Sequence, residues 1–188
     1  MKLREEILKV VRDIRLVRLV IGDNLSWTKN TDSIIKRAYA KLWMIRRLKA
    51  LGASQRRLLD VYYKHIRSIL EFSAPAWDGA LTKRDKLRLE RVQRAALKII
   101  FTCKWDSYTK FIPSKNIVEL EKRREKLALN FSQKAACHEK FKHWLQASEN
   151  INIFSKTYYK PSIGRTESLK KSPIPHLTKL LNKNNGFF

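Results

Sequence analysis

Apolar residues recur along most of this chain at intervals of three and four, the spacing that lines them up on one face of an α-helix. The clearest run lies between Thr28 and Leu51, where Ile34, Ile35, Ala38, Tyr39, Leu42, Trp43, Ile45, Leu48 and Leu51 make one stripe. Polar and basic residues fill the other positions, which predicts a long amphipathic helix, and Gly52 supplies a natural left-handed stop. Ser54 is placed to cap a second helix carrying Leu58, Leu59, Val61, Tyr62, Ile66, Ile69 and Leu70, which Pro75 forbids from continuing. A third starts at Thr82, where Thr82-Lys83-Arg84-Asp85 approximates a capping box with Asp in place of Glu. Its apolar positions are Leu87, Leu89, Val92, Ala95, Ala96, Ile99 and Ile100. Trp27, Leu42, Trp43, Leu59, Tyr62, Trp77, Val92 and Ile99 are the expected shared core of the three helices.

The two ends read differently. Leu3, Ile7, Leu8, Val11 and Ile14 predict a first short helix, and the run Leu16, Val17, Leu19, Val20, Ile21 predicts one strand stopping at Gly22-Asp23-Asn24. A lone strand cannot satisfy its own edges, so the rest of a larger sheet is expected to precede it. A loop with Trp105, Tyr108 and Pro113 is expected over about 102–114, after which Asn116-Ile117-Val118-Glu119 caps a helix through Leu120, Leu127 and Phe131, reaching toward Trp144. Pro161, Gly164, Pro173 and Pro175 then interrupt the pattern, leaving an extended basic tail with one short final helix, Leu177 to Leu181. The expected fold is mostly α.

Charge changes the picture from a generic helical bundle to a polyanion-binding one. The chain has 188 residues, with 41 Lys and Arg against 17 Asp and Glu, a net charge of +24. Polyanions are the default partners of such a surface. Between Ile34 and Leu70, Lys36, Arg37, Lys41, Arg46, Arg47, Lys49, Arg56, Arg57, Lys64 and Arg67 are opposed by Asp60 alone. Between Thr82 and Phe101, Lys83, Arg84, Lys86, Arg88, Arg91, Arg94 and Lys98 outnumber Asp85 and Glu90. Arg46, Arg47, Lys49, Arg56, Arg57, Arg91 and Arg94 are the candidate phosphate contacts, fitted to a backbone rather than to base edges. The bland alternative is a solvated polar face.

Catalytic chemistry is hard to place on these residues. Two-metal phosphoryl transfer needs carboxylates close together, and the sequence has no Asp-Asp pair; its only acidic doublet, Glu5-Glu6, diverges around the expected helix. Glu119, Glu121 and Glu125 stand among Lys122, Arg123, Arg124 and Lys126 and are expected to form helix ion pairs. Cys137, His138 and His143 lack a second ligand pair at zinc spacing, and five glycines include no phosphate-cradling loop. Cys103 and Cys137 are expected to be free thiols in a reducing compartment. No apolar run approaches the roughly 18 to 20 residues of a membrane span, and the N-terminus lacks an uninterrupted secretory h-region. An intracellular location, nuclear or cytoplasmic, is expected.

Several blocks together carry a resemblance. They are Asp23-Asn24-Leu25-Ser26-Trp27, the stretch Ala38 to Leu48 with its basic doublet, Leu70-Glu71-Phe72-Ser73-Ala74-Pro75-Ala76-Trp77-Asp78-Gly79, and Leu89-Glu90-Arg91-Val92-Gln93-Arg94-Ala95-Ala96-Leu97-Lys98-Ile99-Ile100. In order and spacing these resemble the region downstream of the polymerase palm in non-LTR (LINE-type, jockey-like) retrotransposon reverse transcriptases. The likeness runs on through Leu120 to Leu127, Phe131 to Lys134, Arg165-Thr166-Glu167 and Ser172 to Asn182, so it spans about residues 16 to 182. Arg18 departs from it, standing where the family usually has glycine.

The resemblance implies a helical thumb-like bundle that holds a template and primer duplex, with a short N-terminal helix and strand as the remnant of a palm junction and an irregular C-terminal tail. The divisions it suggests are 1–25 for that junction, 26–101 for a three-helix thumb-like domain, 102–145 for a loop and further helix, and 146–188 for the tail. The family's catalytic aspartates and Mg²⁺ belong to an upstream motif, so no residue here inherits that role and no cofactor is expected in this chain. A fragment or truncated copy of such an element, gripping RNA/DNA hybrid or duplex by its backbone and inactive alone, is the expected function. The alternative is a helical protein-interaction module, or a decayed copy with no nucleic-acid role.

Overall fold

The computed structural model describes residues 2–3, 6–7, 11–102, 112, 117–145, 147–153, 156–161, 166–170 and 172–187, and the chain is mostly helical. The expected loop over 102–114, with Cys103, Trp105, Tyr108 and Pro113, and the expected cap at Asn116 lie almost wholly outside the described residues. The long helix α1 spans Thr28–Ala50 and buries Ile34, Ala38, Leu42 and Ile45, the three- and four-residue spacing of its stripe. Gly52 ends it at φ +79, a backbone state that costs glycine nothing. The second helix is one rod in three parts: α2 (Gln55–Val61), a π-helical stretch (Tyr62–Arg67) and α3 (Ser68–Glu71). Ser73, at φ 51, turns the chain so that Pro75 falls in the first turn of a short new helix, α4 (Ala74–Trp77).

A 3₁₀ turn (Asp78–Ala80) leads to α5 (Lys83–Phe101), where the Asp85 N–H donates to Thr82 Oγ1 at 3.1 Å, half of the expected capping box. Helices α1 and α5 run parallel: Arg88 pairs with Asp32 at 2.5 Å near their N-terminal ends, and Lys49 reaches the Ile99 carbonyl near their C-terminal ends. The α2–α3 rod packs on both, and the buried Tyr62 hydroxyl donates to Gln93 Oε1 at 2.5 Å. Helix α6 (Leu120–Cys137) is tied to α5 at its start, where the Leu120 N–H donates to Glu90 at 3.0 Å.

Beyond a 3₁₀ turn (Lys142–Trp144), the strands β5 (Ala147–Ile153) and β6 (Lys156–Tyr159) form an antiparallel hairpin, followed by α7 (Glu167–Lys170) and α8 (Pro173–Asn184). The tail is therefore more ordered than expected, and its final helix extends well beyond Leu177–Leu181. Pro173 sits in the first turn of α8, where its missing N–H is no loss. Leu177, Leu180 and Leu181 pack with Ala128, Ala135 and Leu145 in a second core cluster. The buried Asn182 side chain binds both the N–H and the carbonyl of Tyr159, each at 2.9 Å, which docks the hairpin on α8.

In place of the N-terminal helix expected over Leu3–Ile14, the described residues form strands. Lys2–Leu3 (β1) pairs with Glu6–Ile7 (β2), and Asp13–Leu16 (β3) pairs with Leu19–Gly22 (β4). The strand expected to be alone finds its partner in the residues just before it, through a two-residue turn with Val17 at φ 45 and Arg18 at φ 68. Positive φ at both central residues is the signature of a type I′ hairpin, whose usual residues are Asn and Gly. Leu19 and Ile21 pack on the main core. Because a side chain at Arg18 strains this backbone, Arg18→Gly is expected to raise stability by up to about 1 kcal/mol, read as a higher urea midpoint.

The core expectation holds for Trp27, Leu42, Tyr62, Trp77 and Val92, which are buried, and in part for Leu59 and Ile99, which are half-buried against the same cluster. It fails at Trp43, which is 61% exposed. At 100° per residue the buried line through Ala38, Leu42 and Ile45 leaves Trp43 on the outer face beside Lys36 and Arg47. The expected ion pairs within α6 are also largely replaced. Among the described residues Glu119–Lys122 (3.1 Å) stays local, while Glu121 pairs with Lys86 at 2.9 Å, Arg123 with Glu71 at 2.7 Å, Arg124 with Asp78 at 2.6 Å and Lys183 with Glu125 at 3.1 Å.

His176 packs where a Cβ on Gly79 would overlap its ring, and burial pushes its pKa down, partly offset by Asp78. The folded chain thus refuses a proton that the unfolded chain accepts at about its ordinary value of 6.5. Stability from this source is full above that pH and is lost progressively as pH falls below it. His176→Gln is expected to flatten the decline between pH 6.5 and mildly acidic pH in thermal melts; an unchanged decline would remove His176 as its cause.

Candidate nucleic-acid interface

Arg46 and Arg47 stand exposed on the last turns of α1, and Arg56 and Arg57 stand exposed on the first turn of α2, joined by the short connection Leu51–Ser54. The helix dipole favours cations at the first of these places and opposes them at the second. Helix α2 has no acidic residue in its first turn, and its one carboxylate, the exposed Asp60, forms no ion pair with either arginine. Among the described residues Arg46, Arg47, Arg56, Arg57 and Arg91 form no ion pair and no side-chain hydrogen bond. Arg91 lies on the outer face of α5, in a row with exposed Arg84 and Lys98 at seven-residue spacing. Exposed Tyr39 and Trp43, one helical turn apart on α1, bring aromatic surface to the same outer face as Lys36 and Arg47.

The other two candidate residues are drawn elsewhere. The Lys49 ammonium caps the C-terminal end of α5, donating to the Ile99 carbonyl and to Thr102 Oγ1 at 2.8 Å. Such a cation satisfies carbonyls that the helix end leaves open. Arg94 is half-buried and lines a concavity of about 540 Å³ between α5 and α6, with Lys83, Lys86, Glu90, Glu119 and Glu121. That flank carries both signs of charge.

A second basic group escaped the sequence reading. Arg15 and Arg18 from the β3–β4 hairpin meet Arg37 and Lys41 from α1 around one concavity. The i,i+4 pair Arg37 and Lys41 was legible as one helix face, whereas Arg15 and Arg18 join it only because 13–22 is a hairpin. Burial, followed by the charges of Arg18 and Arg15, pushes the Arg37 pKa down from its ordinary value.

Among the described residues no cluster of three or more His, Cys, Asp or Glu could hold a metal ion, and no helix is long and apolar enough to cross a membrane. Comparison with protein families, curated proteins and solved structures finds no match for this chain.

Proposed function

We propose that this chain is the thumb-like, nucleic-acid-binding region of a non-LTR retrotransposon reverse transcriptase, gripping RNA/DNA hybrid through its backbone and doing no polymerase chemistry by itself. The observation that carries the binding is the exposed arginine group Arg46, Arg47, Arg56 and Arg57 around the α1–α2 connection, none of which forms an ion pair or a side-chain hydrogen bond among the described residues. Cations with no protein partner, two of them set against a helix dipole, are a cost that a phosphate backbone offsets by releasing its condensed counterions. The polymerase context comes from the blocks between Asp23 and Asn182, and the metal-binding aspartates it implies belong to a motif that those blocks do not include.

The grip sets affinity without reading sequence, since the exposed groups are charges for phosphates rather than paired amides for base edges. Lys49 contributes by holding the end of α5 in place, a structural role in the same site. Titration of a labelled hybrid across several salt concentrations tests the reading. Arg46→Ala/Arg47→Ala is expected to lower the magnitude of the salt slope by roughly two units and to weaken different sequences about equally. An unchanged slope would remove the doublet from the interface. Absence of hybrid binding by the unaltered chain at low salt would favour the protein-interaction alternative.

A further inference from the structure

The concavity between the β3–β4 turn and α1 has a volume of about 430 Å³, and the residues lining it include Arg15, Arg18, Arg37 and Lys41 but no carboxylate. Gathering four cations without an acid among them raises the energy of the folded chain, and the effect grows where the groups are partly desolvated. Arg37 is the most constrained. Its Nε donates to the Ser33 carbonyl at 3.3 Å, while its Nη2 is shielded from solvent and has no protein hydrogen-bond partner. A guanidinium nitrogen in that state is left unpaired by the fold, so the charge of Arg37 is poorly compensated by the protein itself.

Arg18 adds a second, independent observation. It occupies a φ of 68, where glycine is the easier residue, so its side chain reaches the pocket rim at a backbone cost. The hairpin bearing it is pinned before any ligand arrives. Lys29 of α1 pairs with Asp13, and the Val20 N–H donates to the buried Asn30 Oδ1 at 3.1 Å. The cations are therefore preorganised, which removes part of the ordering cost of binding. None of Arg46, Arg47, Arg56 and Arg57 lines this pocket, so it is a separate site on another flank of α1.

We propose that this pocket binds a phosphate group, with the guanidinium groups of Arg18 and Arg37 facing its oxygens and Arg15 and Lys41 as supporting charges. Guanidinium forks match phosphate geometry, and the volume lies within the range of small-ligand sites. The phosphate has two possible sources, a nucleic-acid strand or a free polyphosphate, and the pocket does not depend on the thumb-like reading.

The test uses the full chain, pyrophosphate as the free probe, sodium chloride at matched ionic strength as control, and labelled hybrid as the strand probe. Millimolar pyrophosphate is expected to raise the melting midpoint above the chloride control. Arg37→Gln and Arg18→Gly are each expected to weaken pyrophosphate binding by about tenfold or more. Arg18→Gly relieves backbone strain, so its weaker binding would accompany an equal or higher midpoint without ligand, an outcome that unfolding cannot imitate. A parallel loss of hybrid affinity in both variants supports the pocket with a strand phosphate as its occupant. Unchanged hybrid affinity with lost pyrophosphate binding supports it with a free one. Pyrophosphate binding that persists where hybrid binding is absent in the unaltered chain sinks the thumb-like reading and leaves the pocket standing. The proposal is overturned if pyrophosphate acts no differently from chloride, or if both variants bind it as tightly as the unaltered chain.

Discussion

Arg124→Ala is expected to lower the stability of this chain by about 3–5 kcal/mol, the usual cost of removing one partner of a buried ion pair. The Arg124 side chain is fully buried and its Nε donates to Asp78 Oδ1 at 2.6 Å, with Asp78 itself only 2% exposed. The guanidinium also lies 5.9 Å from the Trp77 ring centroid, and its Nη1 and Nη2 have no protein hydrogen-bond partner. Without the arginine, a carboxylate is left in a medium that solvates it poorly, and a cavity opens beneath α6. Asp78→Ala/Arg124→Ala is expected to cost less than the sum of the two single changes, because the second removes the charge that the first strands. Urea unfolding of the four proteins in the cycle measures this. Additive losses, or a single change within experimental error of zero, would show that the pair does not couple α6 to the Asp78–Ala80 turn.

Trp77→Ala is expected to cost about 3–5 kcal/mol, while Trp43→Ala should fall within about 0.5 kcal/mol of the unaltered chain. The chemistry removed is the same, and the difference is place. Trp77 is 0% exposed and its indole N–H donates to the Phe72 carbonyl at 2.9 Å, so truncation creates a large cavity and leaves an acceptor unpaired. Trp43 projects from the outer face of α1 into solvent. Thermal melts of both variants decide the matter: similar losses would return Trp43 to the core. Under the proposed function, any effect of Trp43→Ala belongs in nucleic-acid affinity, where stacking on a base has a similar sign for every sequence.

The π-helical stretch Tyr62–Arg67 left no mark in the sequence pattern, because apolar spacing of three and four describes a slightly widened turn equally well. The error at the N-terminus has a related cause. Leu3, Ile7, Val11 and Ile14 satisfy helical spacing, yet Ile14 and Leu16 also alternate, and Ile14 stands opposite Ile21 while Leu16 stands opposite Leu19. Short apolar runs satisfy either period, and the pairing partner decides. The turn offered no warning, since Val17-Arg18 lacks the Asn and Gly that usually announce a type I′ hairpin.

The helical architecture of 28–101 followed from local chemistry that needs no partner: a wide apolar stripe, Gly52 at a left-handed stop, Pro75 at a first turn, and Thr82 bonded to its own helix through the Asp85 N–H. Such features act within a few residues, so they can be read in order along the chain. The one-sided charge was legible for the same reason, and it marked Arg46, Arg47, Arg56, Arg57 and Arg91, all left exposed by the fold. Which cations remain available was a tertiary decision. Lys49 is taken by the end of α5, Arg123 by Glu71 and Arg124 by Asp78, partners 53, 52 and 46 residues away in sequence. The grouping of Arg15 and Arg18 with Arg37 and Lys41 is of the same kind. A side chain's charge is a property of its residue, but its desolvation and its partners depend on what packs beside it, and packing is a property of the whole folded chain.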